Sequence, residues 1–230
     1  MFKDRYLLLD TANLVDIERL SRTDAIAGVT TNPSLMAKEE KGDYTERLKK
    51  IASLLNNEER SIEKMHLSVE VITLDPDEMI KQGSKLSYAL DEYGLDTHIK
   101  VPVTLDNLRV ITELTNIGIK VNATACMTAL QAKLAIDAGA NIVSFFYNRM
   151  KDGGDPDPEK EISEISNMLW DSDVKIICGS IRRPEDVLHC WEAGSHYVTA
   201  GMGVIEKMLL HAQTEKAIYG FQMDIEAWLS

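Results

Sequence analysis

The chain has 230 residues, of which 44% are hydrophobic, and it carries a formal net charge of −12. This length suits one large domain or two small ones, and the composition is that of a folded globular protein. A strongly acidic chain is a poor general binder of the phosphate backbone, so we expect no nucleic-acid partner. No apolar run approaches the ~20 residues that span a bilayer, so we expect no membrane partner.

Short apolar runs alternate along the chain with longer helical patterns, one after each run. Eight such strand–helix units predict an α/β fold in which a closed parallel (β/α)₈ TIM barrel occupies residues 1–230 as a single domain. A doubly wound open sheet is the alternative. The loop 151–158 precedes the helix after the sixth run and is interpreted as part of that unit. The predicted strands are YLLLD (6–10), AIAGVTT (25–31), MHLSVEVI (65–72), HIKVPV (98–103), IKVNAT (119–124), NIVSFFY (141–147), VKIICGS (174–180) and HYVTA (196–200).

A further segment, residues 214–230, follows the eighth unit and carries Ile218, Phe221, Ile225 and Trp228 at helical spacing. This pattern predicts an amphipathic C-terminal helix with an apolar stripe. Because the barrel is complete before this helix, the stripe needs another surface. That surface is either the chain's own barrel or a neighbouring subunit.

The cysteines and the first ten residues bear on the cellular compartment. Cys126, Cys178 and Cys190 are odd in number and lack CxxC spacing, which indicates free thiols in a reducing compartment. The apolar stretch at the start is too short for a signal peptide and has no small-residue cleavage site. We therefore expect a cytoplasmic location.

Polar residues collect where the predicted strands end, which is where a parallel barrel carries its chemistry. Lys100 is the most unusual of them, because burying its ammonium group unpaired between Ile99 and Val101 costs several kcal/mol. Residues two apart on a strand share a face, so these side chains are expected to line one pocket. The set is Asp10, Asn32, Glu70, Lys100, Asn122, Thr124, Ser144, Phe146, Arg149, Ser180 and Arg182.

Each of these residues also has an ordinary structural interpretation. Lys100 can extend its ammonium group to solvent, Asp10 can cap the next helix, and Glu70 can form a structural ion pair. Phe146 alone would fill core, and the arginines alone would be surface charges. Their joint position at one end of the barrel favours the pocket.

Metal and cofactor chemistry finds little support in the sequence. The five histidines show neither HxH nor HExxH spacing, and the glycines form no dinucleotide or P-loop motif. His98 lies one layer deeper than Lys100 on the same strand face and is interpreted as a satisfied core residue. The sequence thus predicts no metal and no cofactor.

A buried lysine has a chemical use that the neighbouring carboxylates complete. Burial favours the neutral form of an amine, and a neutral lysine attacks a carbonyl to form a Schiff base. The protonated imine withdraws electrons, so that an adjacent C–C bond can break or form. This chemistry needs a base for the hydroxyl of that bond and a group that handles water. Lys100 with Asp10 and Glu70 can supply all three groups.

GVTTNPSLM (28–36) followed by IKVPVT (99–104) resembles the transaldolase family, and especially its short branch, which includes fructose-6-phosphate aldolase. The resemblance covers nearly the whole chain and implies a (β/α)₈ barrel. It implies that Lys100 is the Schiff-base lysine and that Asp10 is the acid/base for the substrate hydroxyl. Glu70 and Thr124 would hold the catalytic water.

The remaining site roles are also implied by the resemblance. Asn32 and Asn122 would bind substrate hydroxyls or position Lys100, and Ser144 would meet the hydroxyl end of the donor. One departure, Asn107 where the family commonly has Gly, is expected to affect only the first turn of a helix. The residues expected to receive a phosphate are Arg149, Ser180 and Arg182.

The resemblance also implies a branch of activity. Direct aldolases of the family carry Gln and Tyr where this chain has Glu70 and Phe146, so it implies transfer of a dihydroxyacetone unit from a ketose phosphate to an aldose phosphate. Direct cleavage, and a sulfonated ketose as donor, are alternatives, since guanidinium groups bind both anions. A catalytically silent sugar-phosphate-binding barrel is the alternative outside enzymes. In the short branch the C-terminal helix packs across subunits, which implies a homopentamer or homodecamer.

Overall fold

A computed structural model of the chain describes residues 5–56, 64–154 and 157–230. Eight parallel strands close into a barrel, in which each strand pairs with the next along the chain and the last pairs with the first. This arrangement confirms the predicted TIM barrel and excludes the open sheet. The strands are β1 (Tyr6–Asp10), β2 (Gly28–Thr30), β3 (His66–Glu70), β4 (Asp96–Pro102), β5 (Val121–Cys126), β6 (Ile142–Phe146), β7 (Lys175–Gly179) and β8 (Tyr197–Ala200).

Helices connect the strands and cover the outside of the barrel. Side-chain caps and prolines set several of their starts: Asp75 caps the helix that Pro76 begins, and Asn32 caps the helix that Pro33 begins. The helices are α1 (Leu14–Ser21), α2 (Pro33–Met36), α3 (Tyr44–Leu55), α4 (Pro76–Asp91), α5 (Asn107–Asn116), α6 (Ala129–Asp137), α7 (Tyr147–Gly153), α8 (Pro158–Met168), α9 (Pro184–Glu192), α10 (Met202–Leu209) and α11 (Ala212–Leu229).

Alternating side chains on the strands build two apolar layers. Leu9 and Val143 belong to the large cluster between strands and helices, whereas Leu8 and Ile142 belong to a small cluster inside the barrel. Because side chains two apart share a face, Asp10 continues the inward face of Leu8, and Ser144 continues that of Ile142. The inner face therefore changes from apolar to polar towards the C-terminal ends of the strands.

Strand register brings the polar residues of neighbouring strands side by side. Glu70 on β3 pairs with Lys100 on β4, and Lys100 pairs with Asn122 on β5. The same register pairs His66 with Asp96 at the other end of β3 and β4. Register thus sets one polar row at each end of this part of the barrel.

Helix α7 is absent from the predicted elements. The sequence predicts a loop from residue 151, but α7 continues to Gly153 and ends at Gly154, which adopts a left-handed conformation with φ 67°. Glycine takes this conformation without the Cβ clash that other residues meet, and it is a frequent helix terminator. Residues 155–156 of the predicted loop lie outside the described residues.

The C-terminal helix is confirmed as α11. It does not pack on its own barrel, since every residue from Ala212 to Leu229 is exposed except the partly exposed Gly220. The predicted stripe is open to solvent, with Phe221 70% and Trp228 79% exposed. Of the two surfaces that the sequence left open, the chain's own barrel is not the one that covers this stripe.

Cys126, Cys178 and Cys190 are buried free thiols. Within the described ranges, no helix combines the length and the apolar character required to traverse a bilayer.

Candidate active site

A cavity of about 110 Å³ opens at the C-terminal end of the barrel. Its wall combines carboxylate, ammonium, amide, hydroxyl and guanidinium groups with the aromatic ring of Phe146. Glu70 stands behind Lys100 rather than in this lining, and Arg182 lies outside it. The predicted site residues that line the cavity are Asp10, Asn32, Lys100, Asn122, Thr124, Ser144, Phe146, Arg149 and Ser180.

Lys100 extends into the barrel and not to solvent. Its Nζ lies 2.9 Å from Glu70 Oε2 and donates a hydrogen bond of 2.9 Å to the backbone oxygen of Thr31. The Lys100 side chain is 6% exposed and that of Glu70 14% exposed. The ammonium group is therefore held in a fixed position, with a carboxylate within proton-transfer distance.

Asp10 is partly buried in the cavity wall and does not cap α1, because Asn13 fills that role with its side chain. Burial raises the pKa of Asp10 above its ordinary value, against the opposing effects of the Lys100 charge and a hydrogen bond from Thr30. Thr30 Oγ1 donates to Asp10 Oδ1 over 2.9 Å, and Thr199 Oγ1 lies 2.6 Å from Thr30 Oγ1. A carboxyl group with a raised pKa takes up and holds a proton more readily than an exposed aspartate.

The TTNP motif has a distinct structural task at each residue. Thr30 binds Asp10, and the backbone oxygen of Thr31 accepts from Lys100. Asn32 accepts from the backbone N–H of Leu35 and so caps α2 while it lines the cavity. Pro33 begins α2 with the backbone angle that the first turn requires. The motif therefore holds both the carboxyl group and the lysine; the sequence singled out Asn32 but not the roles of Thr30 or Thr199.

An amide and two hydroxyl groups form a buried row beside the lysine. Asn122 Nδ2 donates to Ser68 Oγ over 3.0 Å, and Ser144 Oγ donates to Asn122 Oδ1 over 2.7 Å. These two hydrogen bonds fix the orientation of the Asn122 amide. Thr124 Oγ1 is also buried and has no hydrogen-bond partner among the described residues, which leaves its hydroxyl group available to a bound molecule.

The two arginines predicted to bind phosphate have different surroundings. Arg149 lines the cavity, with its guanidinium carbon 4.9 Å from the centre of the Phe146 ring. Arg182 donates two hydrogen bonds to Asp152, one of them 2.8 Å long, and its side chain is 52% exposed. Arg149 is therefore directed towards the cavity, whereas Arg182 is engaged with a surface carboxylate.

The loop between β7 and α9 is held by groups that the sequence analysis missed. Ser180 has φ 60°, a left-handed conformation that is uncommon outside glycine, and its backbone oxygen accepts from Asn148 Nδ2 over 2.9 Å. Asp186 is fully buried and accepts from Asn148 and from the backbone N–H groups of Arg182 and Arg183. Burial alone would raise the pKa of Asp186, but these hydrogen bonds lower it. An acidic residue at the third position of a helix, as in RPED, is the signal that points to Asp186.

Asn107 does more than begin a helix. It is the first residue of α5, and its Nδ2 donates to the backbone oxygen of Pro102 over 2.9 Å. The side chain thus ties the start of α5 to the end of β4, the strand that carries Lys100. The expectation that this departure affects only the first helical turn is too narrow.

Fold and site together define the class of protein as a (β/α)₈ barrel with a buried lysine beside two carboxyl groups at its C-terminal end. A family model described as Transaldolase/Fructose-6-phosphate aldolase matches residues 7–229. The chain belongs to this family, and it is an enzyme of the family by its similarity to relatives named as transaldolases.

Three relatives are similar to this chain to nearly the same degree and over nearly their whole length. A probable transaldolase of Agathobacter rectalis is 38% identical over 95% of this chain and 96% of its own length. Probable transaldolase 1 of Listeria monocytogenes is 37% identical over 95% of this chain and 97% of its own length. A probable transaldolase of Clostridium botulinum is 36% identical over 96% of each chain.

Proposed function

We propose that this protein is a class I transaldolase, which moves a dihydroxyacetone unit from a ketose phosphate to an aldose phosphate through a Schiff base on Lys100. The observation that carries the proposal is the position of Lys100 Nζ. It is buried in a polar cavity 2.9 Å from the Glu70 carboxylate and shares that cavity with Asp10.

The first half of the reaction forms the imine. Lys100 gives up a proton before its nitrogen attacks the donor carbonyl carbon, and the nearby Glu70 oxygen accepts that proton. The carbinolamine that results loses water to become the protonated imine. Thr124, whose hydroxyl group forms no hydrogen bond with the described part of the chain, and Glu70 hold this water.

The second half breaks one C–C bond and makes another. Asp10 takes the proton from the donor hydroxyl group as the bond breaks, and the electron pair moves into the imine to give an enamine. Because burial raises the pKa of Asp10, its carboxylate is a stronger base than an exposed aspartate. The enamine then attacks the acceptor aldehyde, and Asp10 returns the proton to the new hydroxyl group. Hydrolysis of the imine frees the product and Lys100.

Substrate binding is shared between the polar wall and the mouth of the cavity. Asn32 and Asn122 bind hydroxyl groups, and Ser144 meets the hydroxyl end of the donor. Arg149 and Ser180 bind the phosphate, and Arg182 joins them when it leaves Asp152. Arg149 is the better supported of the two arginines, because it lines the cavity and has no carboxylate partner among the described residues.

Transfer requires that the enamine stay unprotonated until the acceptor arrives. Phe146 lines the cavity with a ring that offers no hydroxyl group to a water molecule. This favours transfer over release of dihydroxyacetone. Direct cleavage remains the alternative, because the family description covers an aldolase as well as a transaldolase.

Reduction of the imine tests the proposed function. The protein is treated with borohydride in the presence of a ketose phosphate, and the intact mass and the modified peptide are measured. We expect one donor-derived adduct on Lys100, and none on a Lys100→Arg variant. An adduct on another lysine, or none on the wild type, contradicts the proposal. A panel of phosphorylated and sulfonated ketoses, each with and without an aldehyde acceptor, then separates transferase from aldolase and phosphate from sulfonate.

We further propose that α11 docks on a neighbouring subunit of a closed homo-oligomer, a pentamer or a decamer, in the cytoplasm. The support is the apolar stripe of α11, which stands open to solvent on the isolated chain. Light scattering on a variant that lacks residues 212–230 tests this proposal. We expect fewer subunits per oligomer, or aggregation; an unchanged number of subunits with unchanged solubility contradicts the proposal.

A further inference from the structure

A second cluster of polar side chains lies inside the barrel at the opposite end from the cavity. His66 on β3 and His98 on β4 both face Asp96, and the three candidate ligand atoms all lie within 4.8 Å of one another. Nδ1 of each histidine is 3.9 Å from Asp96 Oδ2. Sequence spacing does not reveal this group, because one histidine comes from a different strand.

One ring nitrogen of His66 has no hydrogen-bond partner among the described residues. The residue is 2% exposed, and its buried Nδ1 makes no hydrogen bond with any described residue. The 3.9 Å to Asp96 is too long for a hydrogen bond. Leaving a buried polar atom unpaired is unfavourable, so this nitrogen indicates a ligand that the protein itself does not supply.

The other ring nitrogen of His66 is held in the manner of a metal ligand. Nε2 lies 2.7 Å from Ser68 Oγ, and the same oxygen accepts from Asn122 Nδ2. When Nε2–H donates to Ser68, the lone pair resides on Nδ1, on the side of Asp96. A hydrogen bond of this kind sets the tautomer and ring orientation of metal-binding histidines.

We propose that His66, His98 and Asp96 bind one divalent transition-metal ion, Zn²⁺ by preference, at the N-terminal end of the barrel. Two imidazoles and a carboxylate form a typical three-residue ligand set for zinc, which leaves a fourth position for water. Imidazole ligands disfavour Mg²⁺ and Ca²⁺, which prefer oxygen. The site is distinct from the lysine cavity and does not depend on the proposed transaldolase activity.

Metal binding requires the three ligand atoms to move closer together. Two ligand atoms of a tetrahedral zinc ion lie about 3.4 Å apart, so each histidine Nδ1 must approach Asp96 Oδ2 by about 0.5 Å, and the ligand atoms of the two histidines, which lie within 4.8 Å of each other, must approach as well. Lys120 donates to Asp96 Oδ1 over 2.6 Å, which leaves Oδ2 for the ion. His98 Nδ1 would exchange a long contact of 3.3 Å with the backbone oxygen of Asp96 for the metal bond. The Asp96 side chain is 29% exposed, so the ion has a path from solvent.

Titration of the full-length, chelator-treated protein with Co²⁺, followed by visible absorption, and with Zn²⁺, followed by calorimetry, tests the proposal. We expect one site per chain, with tetrahedral Co²⁺ absorption that Zn²⁺ abolishes. Asp96→Asn, which preserves shape, should weaken binding at least about 100-fold. His189→Gln removes an exposed histidine on α9 and serves as the matched control, with unchanged binding.

The outcomes are decisive in both directions. Failure of the wild type to bind, full affinity in Asp96→Asn, or loss of binding in His189→Gln overturns the proposal. Asp96→Asn is chosen rather than a variant of the buried His66 because the Asp96 side chain is partly exposed, so the substitution is compatible with folding, which circular dichroism checks. Zn²⁺ should also raise the melting temperature of the wild type and not that of Asp96→Asn, because a ligand that binds only the folded state stabilises it.

Discussion

The two ends of strands β3 and β4 carry polar clusters in the same strand register, and the clusters have different surroundings. At the C-terminal end, Glu70 and Lys100 stand beside an open cavity. At the N-terminal end, the ring of His66 lies 5.0 Å from that of His98 and 5.7 Å from that of Tyr197. Side-chain alternation thus puts polar groups inside the barrel at both ends, but aromatic rings pack around the N-terminal cluster while the C-terminal cluster borders a cavity.

Burial acts on both ends by favouring uncharged groups. It raises the pKa of Asp10, and it lowers the pKa of His98 to about 3, with the nearby His66 charge acting in the same direction. At the C-terminal end the charge of Lys100 opposes this effect on Asp10. The C-terminal end therefore combines a carboxyl group of raised pKa with a buried lysine, whereas Lys120, the lysine beside Asp96 at the other end, is 55% exposed.

The largest expected effect is at Lys100. Lys100→Arg keeps a positive charge beside Glu70 but cannot form an imine, so turnover should fall by at least about 1,000-fold with the fold intact. Steady-state assays and circular dichroism measure the two quantities. A variant with near-normal turnover and a borohydride adduct would show that another residue is the nucleophile.

Two variants compare the contributions of Arg149 and Arg182 to binding the anionic end of the donor. Arg149→Ala removes a guanidinium group that lines the cavity, and the loss of about 1.5–3 kcal/mol predicts a fall in kcat/KM of about 10- to 150-fold for a phosphorylated donor. Arg182→Ala should have a smaller effect, because Arg182 is engaged with Asp152. An uncharged ketose is the control for both. Equal losses in the two variants would assign them equal shares of the anion site, and equal losses for charged and uncharged donors would remove the arginine concerned from it.

Phe146→Tyr should change the fate of the enamine more than the rate at which it forms. The added hydroxyl group can orient water towards the enamine carbon and favour its protonation. We expect a higher ratio of free dihydroxyacetone to transferred product at little cost in stability. Product analysis with and without an acceptor measures this ratio. If the wild type already releases dihydroxyacetone faster than it transfers it, the aldolase alternative stands. If the wild type transfers but Phe146→Tyr has the same ratio of free dihydroxyacetone to transferred product, Phe146 does not control the choice between release and transfer.

The smallest effect on activity is expected at the N-terminal end. His98→Gln should leave kcat/KM within about twofold, since His98 lies outside the cavity lining. The substitution should instead change how much free energy of unfolding the protein loses as the pH falls. The pKa of His98 falls from 6.5 to about 3 on folding, so the unfolded chain binds the extra proton and stability is lost as pH falls between these values.

Urea unfolding in the presence of a chelator, at about pH 7 and about pH 4.5, measures this loss for both proteins. The wild type should lose more free energy of unfolding than His98→Gln over that interval. Equal losses would mean that His98 does not titrate as its burial implies. A large fall in kcat/KM for His98→Gln would mean that the two ends of the barrel are coupled.

The spacing of apolar and polar residues along the sequence was sufficient to predict most of the fold. The spacing of apolar residues indicates which segments are strands and which are helices. Eight strand–helix units in succession then predict a closed parallel barrel. The same alternation directs Lys100 inward and assigns Asp10 to the inner face at the end of its strand. The motif GVTTNPSLM adds the family, although the hydrogen bonds that Thr30 and Thr31 make are visible only in three dimensions.

Relations between distant segments required the tertiary structure. The pairing of Arg182 with Asp152 and the clamp of Asp186 on its loop join residues from different elements, and no local period encodes them. The meeting of His66 with His98 depends on the register of two strands, which is set when the barrel closes. Periodicity reports the side that a residue faces, whereas its neighbours across the barrel are decided by register and by the packing of the whole chain.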